Sequence, residues 1–419
     1  MATPAQRTNT WSLNEWYDQS VAGTTGGYVW GGELWAWGFA GGGRLGQNND
    51  GNPNNRSSPV QVGTNTNWKF VGGSGPLSGA AAIKSDGTLW TWGEEDQGML
   101  GQNEDKKYSS PIQVGTNNNW AFVGGGTANM AAINTDGELY MWGWNSYGCL
   151  GQNQGGVSNA APRYSSPVQV PGTTWRSIAI AGGGSSANVV ATKTDGTLWA
   201  WGANQHGGLG QNGPDNLHRS SPVQIGTDTD WTGRVAGGNY TVGAMKGNAL
   251  YLWGDANNGQ LGFNNTTPMI KSPKQLPGSW ADFDMNAADN LRMTMGIKTN
   301  GALYVWGSGP NGQLGLNSPS SPTGAGRARS SPTQIPGTWD IYGDPDGNRT
   351  FSVSNVCAAK KSDGTYWTWG HNYNGQTGQN TVQRYPQGAP TQYGISSPKQ
   401  LPGDWIRIRV GTQSMVAIK

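Results

Sequence analysis

The chain has 419 residues, only 12% of them charged, and a formal net charge of +2. No Lys/Arg run marks a nucleic-acid or membrane surface, and no stretch approaches the ~20 apolar residues of a membrane helix. With 69 glycines and 22 tryptophans, long helices are disfavoured, because a helical Gly costs ~1 kcal/mol relative to Ala, while the Trp side chains supply area for a packed core.

Residues 1–29 form an arm ahead of the repeats, and the opening "MATPAQRTNTW" lacks the apolar segment of an export signal. The expected product is therefore soluble. Ser12 and Glu15 stand at capping-box spacing, which predicts a short helix over 13–21. Trp11, Trp16 and Tyr17 make this helix adhesive, so it is expected to dock on the rest of the chain or on a partner.

From residue 30 onward one unit recurs. Trp-Gly occurs at Trp37, Trp92, Trp142, Trp201, Trp253, Trp306 and Trp369. Eight residues after each Trp comes Leu-Gly (Thr377-Gly in the last copy), and three residues later always Asn, at Asn48, Asn103, Asn153, Asn212, Asn264, Asn317 and Asn380. A Ser-Pro and an apolar strand follow, then a second Trp (Trp68, Trp120, Trp175, Trp231, Trp280, Trp339, Trp405), a Gly-rich step and another apolar strand. That strand turns through Asp-Gly into the next "LWxWG", a strong hairpin signal because the turn needs positive φ. In "TLWAWG", Leu198 and Ala200 face one way and Trp199 and Trp201 the other. Each unit reads as four short antiparallel strands. One such sheet cannot bury both faces, so the units must stack.

The predicted fold is all-β: a seven-bladed β-propeller over residues 30–419, built of four-stranded antiparallel blades. An open solenoid competes with it and would need capping units. The last residues, "MVAIK", match the strand before an Asp-Gly turn, and "GGELWAWG" at Gly31 matches the strand that leaves such a turn. Residues 415–419 are therefore expected to pair antiparallel with 33–37 and close the ring, leaving no free sheet edge.

The stretch Asp195 to Val223 resembles the repeat named for the regulator of chromosome condensation, "DGxLWxWGxNxxGQLGxN…SPxxV". This resemblance implies a seven-bladed propeller and says little about activity, since the family includes nucleotide-exchange factors, a β-lactamase inhibitor protein and a plant UV-B photoreceptor. Three departures count against the chromatin and exchange roles. The only histidines, His206, His218 and His371, lie off the Gly-rich step; residues 1–29 carry one Arg and two acids rather than a basic tail; and the last two units are irregular at "NAADN" and "GDPDGNRTFSVSN".

No catalytic set is legible. There is no GxSxG and no His beside a plausible Ser. The Gly-rich steps precede strands rather than helices and read as close backbone approaches. Cys149 and Cys357 are two hundred residues apart and fit neither a disulfide framework nor a metal spacing. "DPDGN" at Asp344 reads as a turn rather than a calcium loop. No cofactor and no metal is expected. Of the 22 tryptophans, 18 fall in the repeat columns and read as blade packing.

Variable inserts lie between the Asn and the Ser-Pro, and insertions of this kind collect on one face of a propeller. They carry Tyr108, Arg163, Tyr164, His218, Arg219, Arg327, Arg329, Arg384, Tyr385 and Tyr393. Arg and Tyr are enriched at protein interfaces, so these residues, with Trp11, Trp16 and Tyr17, are the candidate partner-binding set. The reading is a non-enzymatic interaction protein. Low charge and Asn/Gly/Thr-rich strands resemble virion proteins of tailed bacteriophages, which implies a virion location. Its partners would then be neighbouring virion proteins or a host-surface receptor or glycan, with no nucleic acid and no membrane insertion. The alternatives are an inhibitor or regulator capping a GTPase or hydrolase, and a lectin-like propeller.

Overall fold

The computed structural model describes residues 31–49, 54–73, 79–95, 97–126, 128–155, 161–182, 186–264, 268–286, 292–317, 328–341, 349–382 and 394–419. The N-terminal arm, with its expected helix over 13–21, lies outside the described residues.

The described residues form seven four-stranded antiparallel sheets. Six are consecutive in sequence. Blade 4, for example, runs from the inner strand Trp175–Ala181 through Asn188–Lys193 and Leu198–Gly202 to the outer strand Arg219–Gln224. Blade 1 is composite, ordered Arg56–Gln61, Leu34–Gly38, Ser414–Ile418, Arg407–Val410. The closing register is the expected one, with Leu34 opposite Ile418, Trp35 opposite Ala417, Ala36 opposite Val416 and Trp37 opposite Met415. Glu33 and Lys419 exchange backbone bonds of 3.1 and 3.0 Å at the end of the ladder. The sheet order is a closed ring, so the solenoid is excluded.

Alternation along the strands feeds both blade interfaces. In blade 4, Val190, Leu198 and Ala200 pack with Trp231, Val235 and Trp253 of blade 5. Val189, Ala191 and Trp201 pack with Ile133, Leu139 and Met141 of blade 3. All seven Trp-Gly tryptophans are fully buried. At 150–250 Å² each, burial stabilises by roughly 4–6 kcal/mol per Trp at ~25 cal/mol per Å².

Each of these indoles also donates Nε1–H to a backbone carbonyl of the preceding blade, at 2.7–3.0 Å, as Trp201 does to Cys149 and Trp37 to Gln376 across the closure. The recurring Asn forms a second ring. All seven copies are left-handed, with φ from +49 to +59°, a conformation Asn tolerates better than other non-Gly residues. Each donates its N–H to the outer strand of the next blade at 2.6–2.9 Å, from Asn48 to Ser109 round to Asn380 to Ser57. The Gly of Leu-Gly is fixed for the same reason: a Cβ on Gly151, at φ +71°, would stand 3.1 Å from the Trp201 Nε1. The Gly-rich step is a close approach as well, since a Cβ on Gly72 would stand 2.4 Å from the Val123 carbonyl oxygen.

The Asp-Gly hairpins refine the sequence reading. Positive φ falls on Gly87, Gly137, Gly196 and Gly364, not on the preceding Asp. Where Thr follows the Gly, the Asp carboxylate instead accepts its N–H and hydroxyl, at 3.0 and 2.6 Å for Asp195 and Thr197. Asp is therefore a turn cap here and Gly the bulge residue.

Candidate functional site

Strand direction gives the propeller two unlike faces. Inner strands begin where the Asp-Gly turns lie, since Trp175 pairs with Lys193 just before its turn. They end where the inserts depart, since Asn188 pairs with Gly202 at the start of an insert.

On the insert face, the candidates fall into a column. Tyr108, Tyr164, Arg219 and Arg329 each sit opposite the Gly of Trp-Gly, paired with Gly93, Gly143, Gly202 and Gly307. Arg56, opposite Gly38, belongs to the same column and was passed over in the sequence. The column follows the outer strands, so these side chains are spread around the rim rather than gathered at one point. Several brace their own inserts: the Tyr108 hydroxyl bonds Glu104, and the Tyr164 hydroxyl bonds Gln154 at 3.2 Å. His218 Nδ1 accepts the Asn204 N–H at 3.0 Å while its ring lies 4.4 Å from that of Tyr147. Burial pushes the His218 pKa down, which keeps Nδ1 an acceptor. Arg163 is exposed. Trp11, Trp16, Tyr17, Arg327, Arg384, Tyr385 and Tyr393 lie outside the described residues.

The turn face carries a feature that the sequence reading missed, although it repeats. The residue closing the second strand is Lys84, Lys193, Lys246, Lys298, Lys361 and Lys419 in six blades, and Asn134 in blade 3. Each ammonium lies over an aromatic ring of its own blade, from 3.6 Å for Lys361 over Trp367 to 5.4 Å for Lys419 over Trp35. Burial pushes the Lys84 pKa down, opposed by Asp86. This ladder is a cation–π lock on the ends of the blades.

At the axis the inner strands enclose a channel of about 790 Å³. Its apolar wall includes Phe70 and Phe122, with ring centroids 5.5 Å apart. Its charges differ from blade to blade. Asp282 of blade 6 is buried and accepts from Arg234 of blade 5 at 2.9 Å and from Arg349 ahead of blade 7 at 3.2 Å. Arg349 also reaches Asp284 at 3.4 Å and the Val235 carbonyl at 2.6 Å. Asp284 accepts the Val353 N–H at 3.1 Å. Burial pushes the Asp284 pKa up, against the pull of Arg349 and Arg409. Burial also opposes the charge of Arg349, but Asp282 and Asp284 outweigh it and its pKa rises.

The reacting groups of an enzyme are not assembled among the described residues. Burial pushes the Cys149 thiol up to about 12 and raises that of Cys357, so neither is a nucleophile. No group of three or more His, Cys, Asp or Glu among the described residues could hold a metal, and no helix among them is long and apolar enough to cross a membrane.

The seven four-stranded sheets and their shared closing blade define a closed seven-bladed propeller. The family model for the Regulator of chromosome condensation (RCC1) repeat matches residues 86–132, 136–189, 195–244 and 300–340. It is 27% identical over 291 residues to the E3 ubiquitin-protein ligase HERC2 of Mus musculus, a match covering 68% of this chain but 6% of the ligase. It is likewise 27% identical over 139 residues to the Protein RCC2 homolog of Xenopus laevis, covering 33% of this chain and 27% of that protein. Among solved structures it is similar to Prp20p from Saccharomyces cerevisiae, a protein with binding properties to Gsp1p and histones. The TM-score is 0.72 at 18% identity, over 92% of this chain and 90% of that one. It is also similar to human WBSCR16, with a TM-score of 0.69 at 19% identity, over 92% and 99% of the two chains. These structural likenesses establish the fold.

Proposed function

We propose that the chain is a non-catalytic interaction module, a regulator-type propeller that holds a protein partner on its insert face. The observation that carries this reading is the division of labour between the faces. The parts that repeat lock the blades, while the outer-strand ends that follow the variable segments, at Tyr108, Tyr164, Arg219 and Arg329, lie at one end of the blades. Loops of variable sequence on a rigid frame suit selective binding. Prp20p, of the same fold, has binding properties to Gsp1p and histones and has been captured bound to Kap60, which favours a globular protein as the partner here. A virion setting rests on composition alone, and the cellular relatives named above lend it no support.

Affinity purification of the full chain under native conditions tests the reading. One partner should be retained in stoichiometric amount, and the double substitution Arg163→Glu with Arg219→Glu on the insert face should release it. Loss of the partner on a turn-face substitution such as Lys193→Ala, with retention in the insert-face variant, would overturn the assignment.

A further inference from the structure

The axial channel is unevenly charged in a way that the blade frame does not require. Lys69, Arg176, Arg234, Arg349 and Arg409 line it, against the single lining carboxylate Asp284, with Asp282 buried between Arg234 and Arg349. Lys69 and Arg176 each follow the Trp that opens an inner strand, so they sit at the turn-face end of the channel. Arg176 is exposed and makes no ion pair with a described residue. Its side chain lies flat over Gly233, where a Cβ would stand 2.8 Å from Nε.

The inner strand of blade 5 is also built differently from its neighbours. Between Trp231 and Val235 its register shifts over Thr232, Gly233 and Arg234, whereas blades 2, 3, 4 and 6 shift over one residue. Such bulges re-aim side chains. Here the bulge turns Arg234 toward Asp282 and, through Gly233 at φ +69°, leaves room for Arg176. Blades 4, 5 and 7 thereby bring three guanidinium groups to one end of one cavity.

We propose that the turn-face end of this channel is a binding site for a compact multivalent oxyanion, a small molecule carrying two or more phosphoryl or carboxylate groups. The donors dictate the chemistry. Guanidinium forks match phosphate and carboxylate oxygens in pairs. A concave site of 300–1,000 Å³ is the usual size for a small ligand, and about 790 Å³ lies within that range. Asp282 and Asp284 hold Arg234 and Arg349 in place, while Arg176 brings a positive charge with no carboxylate partner among the described residues. This site is separate from the insert face, so it stands or falls independently of the partner proposed there.

Calorimetric titration of the full chain with inorganic pyrophosphate and with citrate, at low salt, tests the site. One-to-one binding of at least one probe is expected, weakened at least tenfold by Arg176→Ala and unchanged by Arg219→Ala on the opposite face. Because Arg176 is exposed, its replacement should leave unfolding of the free protein unchanged, so the loss reads binding and not folding. Binding of pyrophosphate alone identifies a phosphoryl ligand, and binding of citrate alone a carboxylate. No saturable binding of either probe, or binding indifferent to Arg176→Ala, overturns the proposal.

Discussion

Around the rim, each blade meets the next through the same two bonds, a Trp Nε1–H to a carbonyl and a left-handed Asn N–H to an outer-strand carbonyl. At the axis the inner strands vary from blade to blade: Lys69 stands where other blades have Ala121, Arg176, Thr232 or Ala281. Repetition marks what every interface needs, and departure from it marks what only one place needs. The two regions should therefore answer differently to substitution.

The largest effect is expected from cutting the rim open. Deleting residues 413–419 removes the strand Ser414–Ile418 and the buried side chains of Met415, Val416, Ala417 and Ile418. At 1.5–3 kcal/mol per large apolar side chain this costs roughly 5–9 kcal/mol, before the exposed edge is counted. Circular dichroism should show a much lower melting temperature, and an unchanged one would refute the closure.

Next comes a structural part at the axis. Asp282→Ala leaves Arg234 and Arg349 without their shared carboxylate, and removing one partner of a buried pair costs ~3–5 kcal/mol. Urea unfolding should record that loss. A near-neutral result would mean that the two guanidinium groups reach water or Asp284 without strain, and that the axis is looser than its bonds suggest.

Trp201→Phe keeps most of the ring area but orphans the Cys149 carbonyl that accepts the indole N–H at 2.8 Å. An unmade buried bond costs ~1–3 kcal/mol. The same substitution at Trp37, which crosses the closure, should cost a similar amount, and a much smaller loss there would set the composite blade apart from the others.

The smallest effect is expected at the turn caps. Hydrogen bonds from Thr197 and Thr365 hold the Asp195 and Asp363 carboxyls below their ordinary value. A depressed folded pKa gives stability that is full above the unfolded value of about 3.9 and is lost as pH falls through the folded one. Melting temperature should therefore fall below about pH 4, and the Asp195→Asn, Asp363→Asn double variant should flatten that acid slope. An identical slope would assign acid sensitivity to other carboxylates.

Legibility in the sequence obeys the same division. The Trp, Asn and Asp-Gly columns, the period-two strands and the split blade were all readable, because seven copies force the same contacts into the same letters. The Lys ladder repeated as well, yet within "AAIK" and "AMK" it reads as the polar end of a strand until the aromatic rings beneath it are seen. The axial charges were not readable. Arg234 owes its aim to a bulge, and Arg349 sits in the most irregular unit, after a segment that matches no other. The left-handed Tyr147 and His206, at φ +55° and +61°, are equally silent, since Gly42 holds the same place in blade 1. Of the insert residues singled out, Tyr108, Arg163, Tyr164, His218, Arg219 and Arg329 are described, and they lie at the insert end of their blades. Their common column around the rim, shared by Tyr108, Tyr164, Arg219 and Arg329, emerges only from the strand register.

The contrast between rim and axis is tested most directly by measuring Asn153→Ala and Arg176→Ala side by side for thermal unfolding and for pyrophosphate affinity. Forcing Ala into the left-handed conformation of Asn153 costs ~1–2 kcal/mol, so Asn153→Ala should lower the melting temperature and leave the affinity intact. Arg176→Ala should leave the melting temperature intact and weaken pyrophosphate binding at least tenfold. If Arg176→Ala instead melts as early as Asn153→Ala while its affinity is unchanged, the axial cations are part of the frame and the contrast fails.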